Sequence, residues 1–281
     1  MQIALRYDMR APSFGASTED LYAASLDMCE WGDKLGFETV YLAEHHGAED
    51  GYCASPMVQA AAIAARTTHM RIHFSALLPV LHNPLRLAED LATVDIISRG
   101  RVDMTLGLGY RLHEYAMFGV QKSKRVPILE ETIEILEKAW TGEPFEYRGQ
   151  TVMIRPTPVQ KPRPPLYIGG STQASAHRAA KYGDNYLPAG QEDLYSIYQA
   201  DRIAMGLPPN TPPGPKGPLF LFVTEDPEQS WQDVAPHVIY TSNSNAEWAK
   251  ERGVGSTVYV PATEIADLKA SPVFEVVTPD E

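Results

Sequence analysis

The chain has 281 residues, of which 44% are hydrophobic and 21% are charged, so it can bury a sizeable core and is neither disordered nor fibrous. Its 24 Lys and Arg residues against 36 Asp and Glu residues give a net charge of −12, which argues against a general nucleic-acid binder and against binding to anionic membranes. No apolar run approaches the roughly 18 residues that span a bilayer, so we expect a cytoplasmic protein with no membrane partner.

The first half of the chain alternates predicted strands and helices. A strand over residues 3–7 precedes a helix over 18–35, which ends at Gly36 as at a C-cap glycine. The apolar residues of this helix share one face, at spacings of four, three and four: Ala24, Met28, Trp31 and Leu35. The next predicted elements are a strand over 37–43, a helix over 56–68, a strand over 70–78, a helix over 84–98 and a strand over 102–108.

The alternation continues to the end of the chain. The predicted elements are a helix over 125–140, strand 166–169, helix 174–182, strand 185–188, helix 194–205, strand 219–224 and strand 273–277. Eight predicted strands, the first six of them each followed by a helix, predict an α/β fold, a TIM-like (β/α)8 barrel. Insertions are expected at about 143–164, beginning with a hairpin, and at about 237–272. A Pro/Gly-rich linker or lid over 206–218 marks no boundary because the order resumes after it, so we predict a single domain over residues 1–281.

The last four residues, Thr278-Pro279-Asp280-Glu281, have the pattern of a capping box that starts a helix. No helix follows them in the sequence. We therefore expect that the last helix of the barrel is missing from the chain or that a partner subunit covers the eighth strand. A homodimer is expected.

Polar residues directly follow the second predicted strand, and in a barrel the active site lies at such strand ends. Glu44-His45-His46 place a carboxylate and two imidazoles there, which suits proton transfer near neutral pH. A second interpretation is that one histidine packs at the barrel rim and the other is solvated. A metal site is disfavoured, because adjacent side chains of a strand point to opposite faces. Cys29 and Cys53 form no C-x-x-C pair, so we expect neither a zinc site nor a disulfide.

The third and fourth predicted strands also end in small and polar residues. Ser75-Ala76 lie near the end of the third strand and His82 follows it, and the run from Gly107 through Gly109 to Arg111 begins at the end of the fourth. This run is not the dinucleotide fingerprint, because Leu112 occupies the place of the third glycine. Its glycines would let a flat ligand approach the backbone closely.

The fifth predicted strand ends in Gly169-Gly170-Ser171-Thr172, just before a helix. Backbone N–H groups and the helix dipole favour an anion there, and a phosphate would fit. The alternative is a glycine turn in which Ser171 or Thr172 serves as the N-cap.

Five stretches resemble the bacterial-luciferase-like flavin oxidoreductases, a family that includes FMN-dependent monooxygenases and reductases using the deazaflavin coenzyme F-420. They occur in family order and cover roughly residues 1–225: 36–46, 78–90, 98–103, 107–111 and 167–171. The resemblance implies a TIM-like barrel in which the flavin ring lies over the carboxyl ends of the strands.

The resemblance also implies roles for individual residues. His45 would be the catalytic histidine, Glu44 a neighbouring pocket residue, and Ser75–Ala76 a cis peptide behind the flavin ring. Tyr110 and Arg111 would lie near the ring or the ribityl chain. The phosphate-side contacts would be Arg125, Ser171 and Thr172, and four glycines complete the implied cofactor-binding set: Gly107, Gly109, Gly169 and Gly170.

The leading functional hypothesis is a flavin-dependent monooxygenase, in which reduced FMN from a separate flavin reductase reacts with dioxygen to oxidise a small organic substrate. The absence of a nicotinamide fingerprint fits an external reductant. A second hypothesis is an F-420-dependent enzyme that transfers hydride and uses no oxygen. A flavin-binding protein without turnover and a metal-dependent barrel hydrolase are further alternatives.

Overall fold

The computed structural model describes residues 3–189, 193–213, 219–252, 259–271 and 273–280. Its strands are β1 Ala4–Tyr7, β2 Thr39–Leu42, β3 Arg71–Leu77, β4 Val102–Leu106, β5 Phe145–Tyr147, β6 Gln150–Val152, β7 Leu166–Gly170, β8 Asn185–Pro188, β9 Phe220–Val223 and β10 Phe274–Val277. Its helices are α1 Thr18–Lys34, α2 Pro56–Arg66, α3 Pro84–Ser98, α4 Leu112–Met117, α5 Arg125–Thr141, α6 Gln173–Tyr182, α7 Leu194–Ala204, α8 Pro227–Ala249 and α9 Ile265–Lys269.

Six strands form one parallel sheet in the order β1-β2-β3-β4-β7-β8. One face of this sheet is apolar and packs with the helices into the main core, in which Phe74, Met104 and Trp140 are fully buried. Because all six strands run in the same direction, their carboxyl ends lie along one edge. Residues that follow different strands are therefore brought together at that edge.

The chain divides into two compact units. The larger unit holds the six-stranded sheet and the β5–β6 hairpin, and the smaller one holds the parallel pair β9–β10 with α8 and α9. The smaller unit has its own core around Trp231 and Leu268. That residues 1–281 form one domain stays a prediction. Within the described ranges, no helix combines the length and apolar character needed to cross a membrane.

The predicted alternation of strands and helices is confirmed along the chain, and the hairpin is present as β5–β6. Two helices were missed or misplaced. The sequence pattern predicts no helix at α4 and an insertion from residue 237 onward, whereas α8 continues through Pro236 to Ala249. Pro236 and a polar composition obscured this helix. Residues 214–218 of the predicted linker, residues 253–258 and 272 of the predicted insertion, and Glu281 of the predicted capping box lie outside the described residues.

The apolar face predicted for the first helix is not the buried one. Met28, Trp31 and Leu35 are 45%, 55% and 60% exposed, and the buried residues of α1 are Ser25, Cys29, Gly32 and Asp33. A Cβ at Gly32 would lie only 3.2 Å from the side chains of Met70 and Phe37. The helix therefore packs through its smallest residues, because they allow the closest approach to the sheet.

The opposite face of the sheet carries buried polar side chains. The Arg71 guanidinium donates from Nε to Asp103 Oδ2 at 2.6 Å. His73 Nε2 lies 2.8 Å from Thr105 Oγ1, and its ring lies between those of Tyr41 and Tyr167, at 5.2 and 5.3 Å. Burial lowers the pKa of His73 to about 4, because a charged imidazole would lose its hydration there.

This buried histidine makes folding stability depend on pH. Between the usual pKa of about 6.5 and the folded value, the unfolded chain takes up a proton at His73 that the folded chain does not, so stability falls as the pH falls. On lowering the pH from 7 to 5, we expect wild type to lose about 2 kcal/mol more unfolding free energy than His73→Gln. Urea unfolding at both pH values measures this. His69→Gln, at an exposed site, should follow wild type, and equal losses in all three proteins would contradict the prediction.

Candidate active site

The four central strands bring the predicted site residues to one edge of the sheet. Neighbouring strands in the order β2-β3-β4-β7 end at Glu44, Ser75–Ala76, Gly107 and Gly169–Gly170 respectively. The parallel register places these ends side by side. The sequence order of the motifs thus becomes a spatial order along the edge.

Glu44 lies buried directly after β2, with its side chain 0% exposed. Its Oε1 accepts from the Nε2–H groups of His46 at 2.9 Å and His82 at 2.6 Å, and its Oε2 accepts from the Leu78 N–H at 2.6 Å. Burial alone would raise the pKa of Glu44, but these hydrogen bonds outweigh it and the pKa is lowered. Glu44 is therefore an ionised carboxylate that ties the β2 loop to the loop after β3.

The catalytic candidate His45 is held by a residue from another part of the chain. Its Nδ1 lies 2.7 Å from Oε1 of Glu114 on α4, and the same oxygen accepts from the His46 N–H at 3.0 Å. The Glu114 side chain is 2% exposed and that of His45 12%. Held by a carboxylate, Nδ1 carries the proton, and the imidazole has a fixed tautomer.

The sequence pattern does not reveal Glu114, because it predicts no element between the fourth strand and the helix that starts at residue 125. Helix α4 spans only six residues, too few for a periodic pattern to reveal. The Tyr115 hydroxyl fastens this helix by donating to the carbonyls of Leu108 at 2.6 Å and Gly109 at 3.1 Å. An acidic residue within one helical turn of the polar end of the fourth strand was the available signal.

Aromatic rings surround the His45 imidazole. The Tyr52 ring lies 4.8 Å away, nearly perpendicular at 87°, and the Tyr110 ring lies 5.7 Å away. The structure thus brings the predicted residue Tyr110 to His45. Arg111 is the N-cap residue of α4, one turn before Glu114.

Small residues line the edge at β3, β4 and β7. The Ser75–Ala76 peptide is cis, as the resemblance predicts. A Cβ at Gly107 would lie 3.1 Å from Ala76 Cβ, and one at Gly170 would lie 2.4 Å from Ser175 Cβ. Neither glycine can carry a side chain without displacing its neighbour. The edge therefore offers backbone, rather than bulky side chains, to a ligand.

The predicted phosphate-side residues start two neighbouring helices. Thr172 is the N-cap of α6 and accepts from the Ser175 N–H at 3.3 Å, so the N-cap interpretation is confirmed for Thr172, and Ser171 precedes it. Arg125 opens α5, and its Nη1 donates to the Lys122 carbonyl at 2.8 Å. An Arg178–Glu130 ion pair at 3.1 Å joins the two helices at similar depths, which brings their first turns to the same edge.

In the part of the chain that the structure describes, no group of three or more His, Cys, Asp or Glu side chains is arranged to hold a metal ion.

A family model described as luciferase-like monooxygenase matches residues 9–269. The chain belongs to this family. The relatives it matches include the oxygenase component of a flavin-dependent trigonelline monooxygenase from Acinetobacter baylyi, 26% identical over 70% of this chain and 58% of that protein. They also include an F-420-dependent glucose-6-phosphate dehydrogenase from Microbacterium testaceum, 27% identical over 69% of this chain and 59% of that protein. The chain spans little more than half the length of the first curated relatives it matches.

Solved structures confirm the predicted α/β, TIM-like barrel fold class. The oxygenating constituent of 3,6-diketocamphane monooxygenase from Pseudomonas putida, solved in complex with FMN, matches with a TM-score of 0.73 and 18% identity. The match covers 100% of this chain and 85% of that one. At this identity the likeness establishes the fold alone.

The residues at the edge of the sheet fit a flavin. The side-chain-poor ends of β3, β4 and β7 suit a flat ring, since Gly107, Gly169 and Gly170 carry no side chain and are partly exposed. The first turn of α6 and the guanidinium of Arg125 are the kinds of group that hold a phosphate. The same features would also accept the phosphorylated deazaflavin.

The contacts of Glu114 generate a stability prediction. Glu114→Ala leaves the His45 Nδ1–H and the His46 N–H without their acceptor, so we expect a loss of about 2–4 kcal/mol in unfolding free energy. Glu131→Ala, at an exposed position of α5, should cost no more than about 1 kcal/mol. Urea unfolding of both variants tests this, and equal losses would show that the buried donors do not depend on Glu114.

Proposed function

We propose that the chain is the flavin-binding part of an FMN-dependent monooxygenase that oxidises a small organic substrate with dioxygen. A separate flavin reductase would supply the reduced FMN, and the protein would act as a homodimer. The observation that carries the proposal is the His45–Glu114 pair, which lies at the same edge of the sheet as strand ends that lack bulky side chains. The similarity to the trigonelline and 3,6-diketocamphane monooxygenases supports the proposal.

The residues of the site fall into two groups: those that would hold the cofactor and those that would exchange a proton. Gly107, Gly109, Gly169, Gly170 and the Ser75–Ala76 peptide would lie against the ring, with Tyr110 and Arg111 near the ring or ribityl chain. Arg125, Ser171 and Thr172 would hold the phosphate. FMN, when bound and reduced, supplies the electrons that activate dioxygen.

His45 is the group suited to proton exchange in this arrangement. Because Glu114 engages Nδ1, exchange with a substrate would take place at Nε2. Glu44 would act at a distance, by fixing His46 and His82 beside the site. It corresponds to the expected neighbouring pocket residue, in a role separate from His45.

The choice of cofactor is tested by binding. We expect the protein to bind FMN more tightly than coenzyme F-420 in an absorbance titration, and to change the rate at which dioxygen reoxidises reduced FMN. Arg125→Ala should weaken FMN binding by roughly tenfold or more while changing riboflavin binding little, because riboflavin lacks the phosphate. Lys138→Ala, which removes an exposed charge at the far end of α5, is the matched control. Binding of F-420 without FMN would instead favour a hydride-transfer enzyme.

The role of His45 is tested by turnover. We expect His45→Ala to lower the catalytic rate by roughly 100-fold or more, as for a lost general acid or base, with FMN affinity little changed. His46→Ala should mainly lower stability, because it removes a donor from Glu44. Full turnover in His45→Ala, with none in a folded His46→Ala, would show that the two roles are reversed.

A further inference from the structure

The loops after β1 and β2 are fastened to each other by backbone hydrogen bonds. The Ala11 N–H donates to the Asp50 carbonyl at 2.8 Å, and the Cys53 N–H donates to the Asp8 carbonyl at 2.9 Å. The His45 N–H in turn donates to the Cys53 carbonyl at 3.0 Å. The segment that carries His45 is thus tied to the loop after β1.

A buried ion pair lies within this assembly. Arg10 Nη1 bonds to Asp50 Oδ2, and the two side chains are only 3% and 4% exposed. The carboxylate of Asp8 lies 3.8 Å from Arg10 Nε. Removing both charges from water is costly, and a well-packed apolar pair often serves stability equally well. The use of charges at this position therefore calls for a further reason.

The ion pair clamps the ring that packs against His45. The guanidinium carbon of Arg10 lies 4.8 Å from the centroid of the Tyr52 ring, and Asp50 Oδ1 accepts from the Tyr52 N–H at 3.3 Å. The ring of Tyr52 meets the imidazole of His45 at 4.8 Å and 87°. One aromatic ring thus separates a buried cation from the histidine.

We propose that Arg10 and Asp50 are positioning residues for His45, acting through the Tyr52 ring. This inference rests on the proposed function, in which His45 exchanges a proton with the substrate. The clamp fixes the ring against which the imidazole packs, so the imidazole keeps its orientation towards Glu114. Because Arg10 and Asp50 carry opposite charges, their electrostatic effects at His45 largely cancel.

Among the residues that the structure describes, three further segments bring polar groups to His45. Glu114 from α4 holds Nδ1, Tyr110 from the end of β4 contacts the ring, and the neighbouring His46 is bound to Glu44. Among the described residues, an ion pair of opposite charges lies behind the Tyr52 side of His45, together with the partly exposed Asp8. Removing one partner of that pair would expose His45 to the charge of the other.

The experiment follows the NMR titration of the His45 ring in the full chain, with signals assigned by comparison with His45→Gln. Asp50→Asn removes the carboxylate that pairs with Arg10 Nη1 and should move the midpoint to lower pH, whereas Arg10→Met should move it to higher pH. The Tyr52 centroid lies 4.8 Å from the Arg10 guanidinium carbon and 4.8 Å from the His45 centroid, so Arg10 lies within about 10 Å of His45 and we expect shifts of roughly half to one pH unit. Arg10→Lys keeps the charge and should shift it least.

The matched control is Asp103→Asn, which removes a buried carboxylate from the Arg71 ion pair. In the sheet, Asp103 on β4 lies level with Tyr41 on β2. Tyr41 precedes His45 by four residues, so Asp103 is displaced from His45 along the strands. This variant should therefore leave the midpoint of the His45 titration unchanged. Shifts of opposite sign in Asp50→Asn and Arg10→Met support the proposal, because a loss of stability alone would not move the two midpoints in opposite directions. No shift, or shifts of the same sign, would overturn it. If Arg10→Met does not fold, the direction of the Asp50→Asn shift decides.

A second measurement separates the ring from the charges. Tyr52→Leu should lower kcat about tenfold with little change in FMN affinity, and Tyr52→Phe, which keeps the ring, should restore it. A kcat unchanged in an active, folded Tyr52→Leu would overturn the role of the ring. The titration needs neither flavin nor substrate, so its result holds or fails independently of the proposed function.

Discussion

Two carboxylates are buried at one edge of the sheet, and the rest of the site is arranged to satisfy them. A buried carboxylate is tolerated only where donors replace the lost water. Glu44 draws its donors from His46, His82 and the Leu78 N–H, and Glu114 draws its donors from His45 and the His46 N–H. His46 contacts both carboxylates and joins the two networks. The histidines are therefore fixed because the carboxylates need them, so the contacts that hold the site together also orient its chemistry.

At the amino-terminal edge of the sheet, buried charged side chains are satisfied by backbone groups, which do not titrate near neutral pH. Asp33 accepts from three successive backbone N–H groups at residues 68–70, and Asp95 accepts from those of Val159 and Gln160. Arg101 is buried among the carbonyls of residues 64, 67, 70 and 98. Backbone partners give rigidity without proton exchange. Imidazole partners at the carboxyl edge give both, which concentrates the chemistry on one side of the sheet.

Much of this could be predicted from the sequence, because strands, helices and glycine-rich strand ends leave local patterns. Glu114 could not, since its importance comes from a contact with His45 across 69 residues on a helix of one and a half turns. The local sequence pattern also could not identify which face of α1 is buried. Apolar spacing shows that a face exists but not which face is covered, and here close packing at Gly32 and the capping carboxylate of Asp33 decided it.

The nitrogen that each carboxylate holds distinguishes the three histidines. Glu44 engages Nε2 of His46 and of His82, the ring atom farthest from the backbone, so any exchange by these residues would fall to Nδ1, close to their own main chain. Glu114 engages Nδ1 of His45 instead. The nitrogen of His45 that Glu114 does not hold is Nε2, at the outer end of the ring. The two adjacent histidines are thus given opposite tautomers by their partners, and under the proposed function His45 would exchange its proton at the ring atom farthest from the backbone.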